Sequence, residues 1–166
     1  MNINFRKILY ILFISAIIGF VYNFSSPTGI PLVKNEIKLG KLAEPPSNPG
    51  EPDYTKIKAV NLEQAYTLYN DGVKFVDSRD MWEYADGHIK GAVSFPEIEF
   101  ETDHPALQKI KKDEKLVIYC SSSECGLSTK LAIELLKLGY ENLFVFEEGW
   151  DAWLENGYPI ETGELP

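Results

Sequence analysis

Cysteine and histidine are scarce in this chain: two of each, Cys120 and Cys125, His88 and His104. No combination of them has the spacing of a zinc site, so no metal is expected. A Gly-rich phosphate loop, a dinucleotide fingerprint and an internal repeat are also missing. Basic residues are outnumbered, 16 Lys and Arg against 25 Asp and Glu, for a formal net charge of −9. That balance argues against a nucleic-acid partner and gives no attraction to anionic lipid headgroups. Apolar residues are not in short supply. The 166 residues are 45% hydrophobic and 13% aromatic, enough for the core of one ordinary domain with extra segments.

The stretch around which the rest is organised is residues 115–140, KLVIYCSSSECGLSTKLAIELLKLGY. Residues 116–119 are an apolar run that reads as a buried strand, and Cys120 stands at its end. Six small or polar residues follow: Ser121, Ser122, Ser123, Glu124, Cys125 and Gly126. Then Leu127, Leu131, Ala132, Leu135, Leu136 and Leu138 recur at helical spacing, and Gly139 stops the helix. A strand, a thiol, a tight loop and a helix make a cradle for an anion. Loop N–H groups and the positive end of the helix dipole face one spot, and a sulfur held there is stabilised as the reactive thiolate. The alternative is a small buried hydrophobe, and this stretch alone leaves the two evenly matched. Ser121 and Glu124 also fit a capping box that would start the helix directly after Cys120, but Gly126 is costly in a first turn.

Residues 8–22 (ILYILFISAIIGFVY) are strongly apolar and follow Arg6 and Lys7. Residues 1–24 are read as a signal anchor or transmembrane segment, in preference to a cleaved signal peptide or a buried helix, because Tyr22, Asn23 and Phe24 suit no cleavage site. The two basic residues stay inside. The expected location is therefore the cytoplasmic (inner) membrane, single-pass, with the domain facing the periplasm or cell exterior. Residues 25–53 hold six prolines and read as an extended linker.

Residues 54–166 form the domain. Strands are expected at residues 57–60, 74–77, 92–95, 116–119 and 142–146. Helices are expected at 62–69 with Asn61 as N-cap, at 81–85, weakly at 106–111, after Gly126, and at 149–155. Strands that are apolar throughout and alternate with helices imply an α/β fold, a parallel sheet with helices on both faces. Ligands bind at the carboxyl ends of such strands, where Asp77 and Cys120 fall.

Several stretches together resemble the rhodanese family of sulfurtransferases. Residues 75–96, FVDSRDMWEYADGHIKGAVSFP, are similar to its first signature through Asp77, Arg79, Glu83-Tyr84, Gly87-His88-Ile89 and Gly91-Ala92. Residues 117–120 (VIYC) resemble its active-site strand, and 147–159 its closing signature. The resemblance implies that Cys120 attacks a sulfane-sulfur donor, carries the sulfur as a persulfide and passes it to a thiol acceptor, with the loop 121–126 cradling the charged sulfur and no cofactor. It implies supporting roles for Asp77 and Arg79, pinning the neighbouring strand end; for Glu83 and His88, fixing loops; and for Trp150 at the pocket mouth, with Trp153 in the core. Family members carry basic or Gly residues after the cysteine, often with an Arg closing the loop. Here the loop is longer, acidic and without Arg, and Glu124 repels a dianion such as thiosulfate. Cys125 is read either as a resolving thiol that closes a disulfide with Cys120 or as a small apolar residue facing the core. Two further readings stay open: a thiol–disulfide redox protein using both cysteines, and a non-catalytic binding module with a protein partner.

Overall fold

A computed structural model describes residues 52–163, together with Arg6, Tyr10, residues 12–15, Ile17 and Tyr22. The chain divides into two units, Met1–Asn35 and Glu36–Pro166. In the first unit the described residues are helical, and Tyr10, Leu12, Phe13, Ile14, Ile17 and Tyr22 are exposed. Among the described residues no helix is long and apolar enough to cross a membrane. Most of the expected segment 1–24 and linker 25–53 lies outside the described residues.

The second unit carries a five-stranded, all-parallel sheet in the order β1-β6-β5-β2-β4. Its strands are β1 (Ile57–Val60), β2 (Lys74–Asp77), β4 (Val93–Ser94), β5 (Leu116–Tyr119) and β6 (Leu143–Phe146). All four residues of β5 are buried, because the strand is central and covered on both sides. Its pleat divides two cores. Leu116 and Ile118 join the core beneath α3 (Leu127–Lys137). Val117 and Tyr119 join the other, with Ala65 of α1 (Leu62–Asn70) and Trp153 of α4 (Gly149–Glu155). Each fully buried aliphatic side chain contributes roughly 1.5–3 kcal/mol.

Local signals set the boundaries. Asn61 caps α1 through a reciprocal capping box with Gln64. Asp80 caps the short α2 (Met81–Asp86), accepting from the N–H groups of Trp82 and Glu83. The expected strand at 92–95 shrinks to two residues, since Phe95 N–H crosses to the Asp77 carbonyl and Pro96 donates nothing. The expected helix at 106–111 is a single 3-10 turn, Pro105–Gln108. A second sheet was not anticipated: β3 (His88–Ile89) pairs antiparallel with β7 (Ile160–Glu161). Two-residue strands are too short for periodicity to register.

Candidate active site

The parallel register aligns the carboxyl ends of the three central strands. Tyr119 stands opposite both Asp77 and Phe146. The residues that follow, 78–79, 120–121 and 147–150, therefore meet at one edge of the sheet, the ligand-binding edge of such folds.

Cys120 leaves β5 at this edge and is 2% exposed. Two contacts hold the strand end and the loop start. Ser78 gives its N–H (2.9 Å) and its hydroxyl (2.7 Å) to the Tyr119 carbonyl. The first turn of α4 then takes the next two carbonyls: Trp150 N–H donates to Cys120 O (2.8 Å) and Asp151 N–H to Ser121 O (2.9 Å). This docking needs glycine at 149. The residue has φ +66°, and a Cβ would overlap the Cys120 carbonyl oxygen and stand 2.9 Å from that of Ser121.

The loop folds back on itself. Cys125 N–H donates to Ser122 O (3.1 Å), and the Cys120 thiol points at the same carbonyl (3.5 Å). Gly126, in the left-handed region, turns the chain into α3. The helix therefore starts at Leu127, and Ser121 and Glu124 do not form its capping box. Both sulfurs are served by N–H groups of the first helical turn. Ser128 reaches Cys120 with its backbone N–H and with its hydroxyl, 3.7 Å from the sulfur. Leu127 and Ser121 N–H groups reach Cys125.

The two thiols are free and in hydrogen-bonding contact with each other. They titrate as a pair. The Cys120 hydrogen bond, aided by the two backbone N–H groups, lowers Cys125 to about 6. Contact with Cys125 and burial push Cys120 up. The contact between the two sulfurs thus favours the first negative charge on Cys125 and disfavours it on Cys120. The sequence expectation of a charged sulfur in this cradle therefore concerns the pair, because the second cysteine competes with Cys120 for the same charge.

Asp77 and Arg79 form a buried pair, 0% and 2% exposed. Arg79 Nη2 lies 2.6 Å from Asp77 Oδ2 and Nε 3.0 Å from Oδ1, while Nη2 also donates to Gly87 O (2.7 Å). The guanidinium lies 4.8 Å from the centre of the Trp150 ring. Burial and the Asp77 charge raise Tyr119, whose hydroxyl accepts the Ile89 N–H (3.1 Å). This network ties β2, β3, β5 and α4 together beneath the cysteine. His88 stacks on Tyr84 (3.7 Å between centroids) and lies between Tyr84 O (2.8 Å) and Glu161 Oε1 (3.2 Å). It fixes the antiparallel β3–β7 pair, and its partners lie outside the cysteine loop. Glu83 accepts a hydrogen bond from Ser121 (3.0 Å), and Trp153 is fully buried. Ser123, Glu124 and Gly126 are exposed, and Ser122 is half-buried.

Ser78, Ser128 and Gly149 act on the site in ways that sequence reading missed. A glycine opening an apolar helix was the available signal for Gly149. Ser128 carried none, since nothing in its neighbourhood shows that its hydroxyl faces a sulfur eight residues earlier. Among the described residues no His, Cys, Asp and Glu cluster could hold a metal.

Residues 61–156 match the rhodanese-like domain family. The chain is 31% identical over 111 residues to the thiosulfate sulfurtransferase GlpE of Haemophilus influenzae, covering 63% of this chain and 95% of that protein. It is 25% identical over 120 residues to Protein HIGH ARSENIC CONTENT 1, mitochondrial, of Arabidopsis thaliana, covering 66% of this chain and 68% of that protein. Among solved structures, the rhodanese-like domain of the Anabaena Alr3790 protein superposes with a TM-score of 0.51 at 26% identity, over 68% of this chain and 80% of that one. The family match spans more than half of the sequence and includes both cysteines, the Asp77–Arg79 pair and the Gly149 docking point: the chain belongs to the rhodanese-like domain family.

Proposed function

We propose that this protein is a membrane-anchored, exported sulfurtransferase that carries sulfane sulfur as a persulfide on Cys120. The observation that carries this reading is the seat of the Cys120 sulfur. It lies at the carboxyl end of the central strand, against the N–H and hydroxyl of Ser128 at the start of α3. Those donors stabilise the charge that develops on a persulfide sulfur. The Cys125 thiolate in contact with Cys120 is placed to take its proton as Cys120 attacks the outer sulfur of the donor. The bond within the donor breaks, its thiolate leaves, and the sulfur stays on Cys120. A thiol acceptor then removes it.

The donor is a thiol persulfide or polysulfide in preference to thiosulfate. Glu83 stands against Ser121 at the loop start, Glu124 is exposed on the loop, and the loop holds no cation. A dianion meets repulsion there. Anchoring is supported by the uncharged run behind Arg6 and Lys7, and by the exposed apolar side chains of its described helical residues.

The test is the intact mass of the full chain, purified in detergent and reduced, after exposure to polysulfide or thiosulfate. A polysulfide-dependent change at Cys120, with the sulfur either kept as added mass or passed on as sulfide, is expected and is lost in Cys120→Ser. The same uptake or release of sulfur by Cys120→Ser would refute the role of Cys120. Protease digestion of intact and lysed cells checks the topology: the domain is expected to be cleaved from outside.

A further inference from the structure

One group in the site has no part in holding a persulfide on Cys120 or in delivering it to an external thiol: the Cys125 sulfur after its proton has moved. Cys125 lies five residues beyond Cys120, yet the turn closed by its N–H on Ser122 O brings the two sulfurs into contact. The same Ser122 carbonyl faces the Cys120 thiol, so one backbone atom registers both cysteines. Cys125 is half-buried where Cys120 is closed in, and the N–H groups of Leu127 and Ser121 favour its thiolate. A buried sulfur with an accessible, ionisable thiol against it is the arrangement in which one sulfur takes the load and the other displaces it.

We propose that Cys125 is the second nucleophile of this site: it attacks the Cys120 persulfide, closes a Cys120–Cys125 disulfide and releases the transferred sulfur as sulfide. The inference rests on the persulfide reading above. In the first step Cys120–SH, the Cys125 thiolate and a donor RS–SH give Cys120–S–SH, Cys125–SH and RS⁻. Cys125 then gives its proton to RS⁻ or to water. In the second step the Cys125 thiolate bonds to Cys120 Sγ, the bond between that sulfur and the outer sulfur breaks, and HS⁻ leaves. The outer sulfur is reduced and the two cysteines are oxidised by the same electron pair. A dithiol reductant restores the pair by thiol–disulfide exchange. The class of reaction is reductive release of sulfane sulfur, which needs electrons from a dithiol where plain sulfur transfer needs only an acceptor.

The substitution to make is Cys125→Ser, in the full chain, reduced, freed of reductant and mixed anaerobically with polysulfide. Wild type is expected to lose two hydrogens in intact mass, to yield a peptide linking Cys120 to Cys125, and to release one sulfide per chain in a burst. Cys125→Ser is expected to gain sulfur more slowly, because the proton acceptor is gone, to keep that sulfur, and to lose the burst. Cys125→Ala serves as the second variant should Cys125→Ser fail to fold. The linked wild-type peptide is a readout that needs no variant. Persistence of the burst in both Cys125 variants would overturn the proposal, and so would a wild type that keeps its persulfide with no linked peptide. Disulfide formation at the same rate without polysulfide would also overturn it, since no persulfide is then being resolved. Failure of the underlying reading looks different: wild type gives neither sulfide nor a polysulfide-dependent linked peptide, and neither Cys125 variant gains sulfur.

Discussion

Replacing Gly149 with alanine tests how far the docking of α4 on the cysteine loop controls the site. Two costs are separable. A side chain at φ +66° costs about 1–2 kcal/mol by itself. The added Cβ would also overlap the Cys120 carbonyl oxygen and crowd Ser121 O at 2.9 Å, so the helix or the loop must move. That movement weakens the hydrogen bonds from Trp150 and Asp151 to those two carbonyls, each worth about 1 kcal/mol. The expected loss for Gly149→Ala is therefore about 3–4 kcal/mol. Gly157 supplies the control. Its φ is +67°, and a Cβ there would meet nothing within 4 Å, so Gly157→Ala carries the backbone cost alone, about 1–2 kcal/mol. Urea denaturation of both variants isolates the difference of about 2 kcal/mol, visible as a lower midpoint at unchanged slope. Persulfide formation should slow by up to about a hundredfold in Gly149→Ala, because a shift of about an ångström at a reacting atom costs that much, and stay at the wild-type rate in Gly157→Ala. Equal destabilisation by the two substitutions, or a wild-type rate in Gly149→Ala, would refute the claim that helix docking places Cys120.

Arg79→Leu should cost about 3–5 kcal/mol, because it leaves the Asp77 carboxylate buried without its cation, whereas Asp77→Leu with Arg79→Leu should recover part of that loss. Urea denaturation around this double-mutant cycle decides it, and a loss below about 1 kcal/mol for Arg79→Leu would contradict the network described. Alkylation of the reduced protein by iodoacetamide should label Cys125 first, with a rate that rises through a midpoint of about 6; labelling of Cys120 first would count against the assignment. The sign for stability follows. Cys125 is held below its ordinary value of 9.0, so its thiolate stabilises the fold fully above that pH and less as pH falls towards about 6. Cys120 is held above the same value, so its contribution is full below 9.0 and is lost as pH rises further. Relative to a Cys120→Ser and Cys125→Ser double variant, the stability of the reduced protein should rise between about pH 6 and 9 and fall beyond. Glu83 raises Cys125, so Glu83→Gln should move the alkylation midpoint to lower pH; an upward move would show that Glu83 acts through the Ser121 hydrogen bond and not through its charge.

Short-range chemistry accounts for everything that could be read from the order of the residues. The four-residue segments at 57–60 and 74–77 and the apolar run at 116–119 became strands with those bounds. Asn61 with Gln64, and Gly149 before two tryptophans, marked the starts of α1 and α4. The spacing of Asp77, Arg79 and Gly87-His88 pointed to the family because one signature concentrates its contacts within a few residues. The tertiary structure decided what depends on residues far apart in the chain. That α4 grips the carbonyls of Cys120 and Ser121 follows from the packing of β5 beside β6, across a gap of thirty residues that no periodicity spans. That β3 finds β7 rests on Glu161 reaching Gly91 and His88. The charge of the dithiol, too, was decided in three dimensions. Cys120 draws on Ser128 and Cys125 on Leu127 and Ser121, and it is the contact between the two sulfurs, invisible in the order of the residues, that lowers Cys125 and raises Cys120.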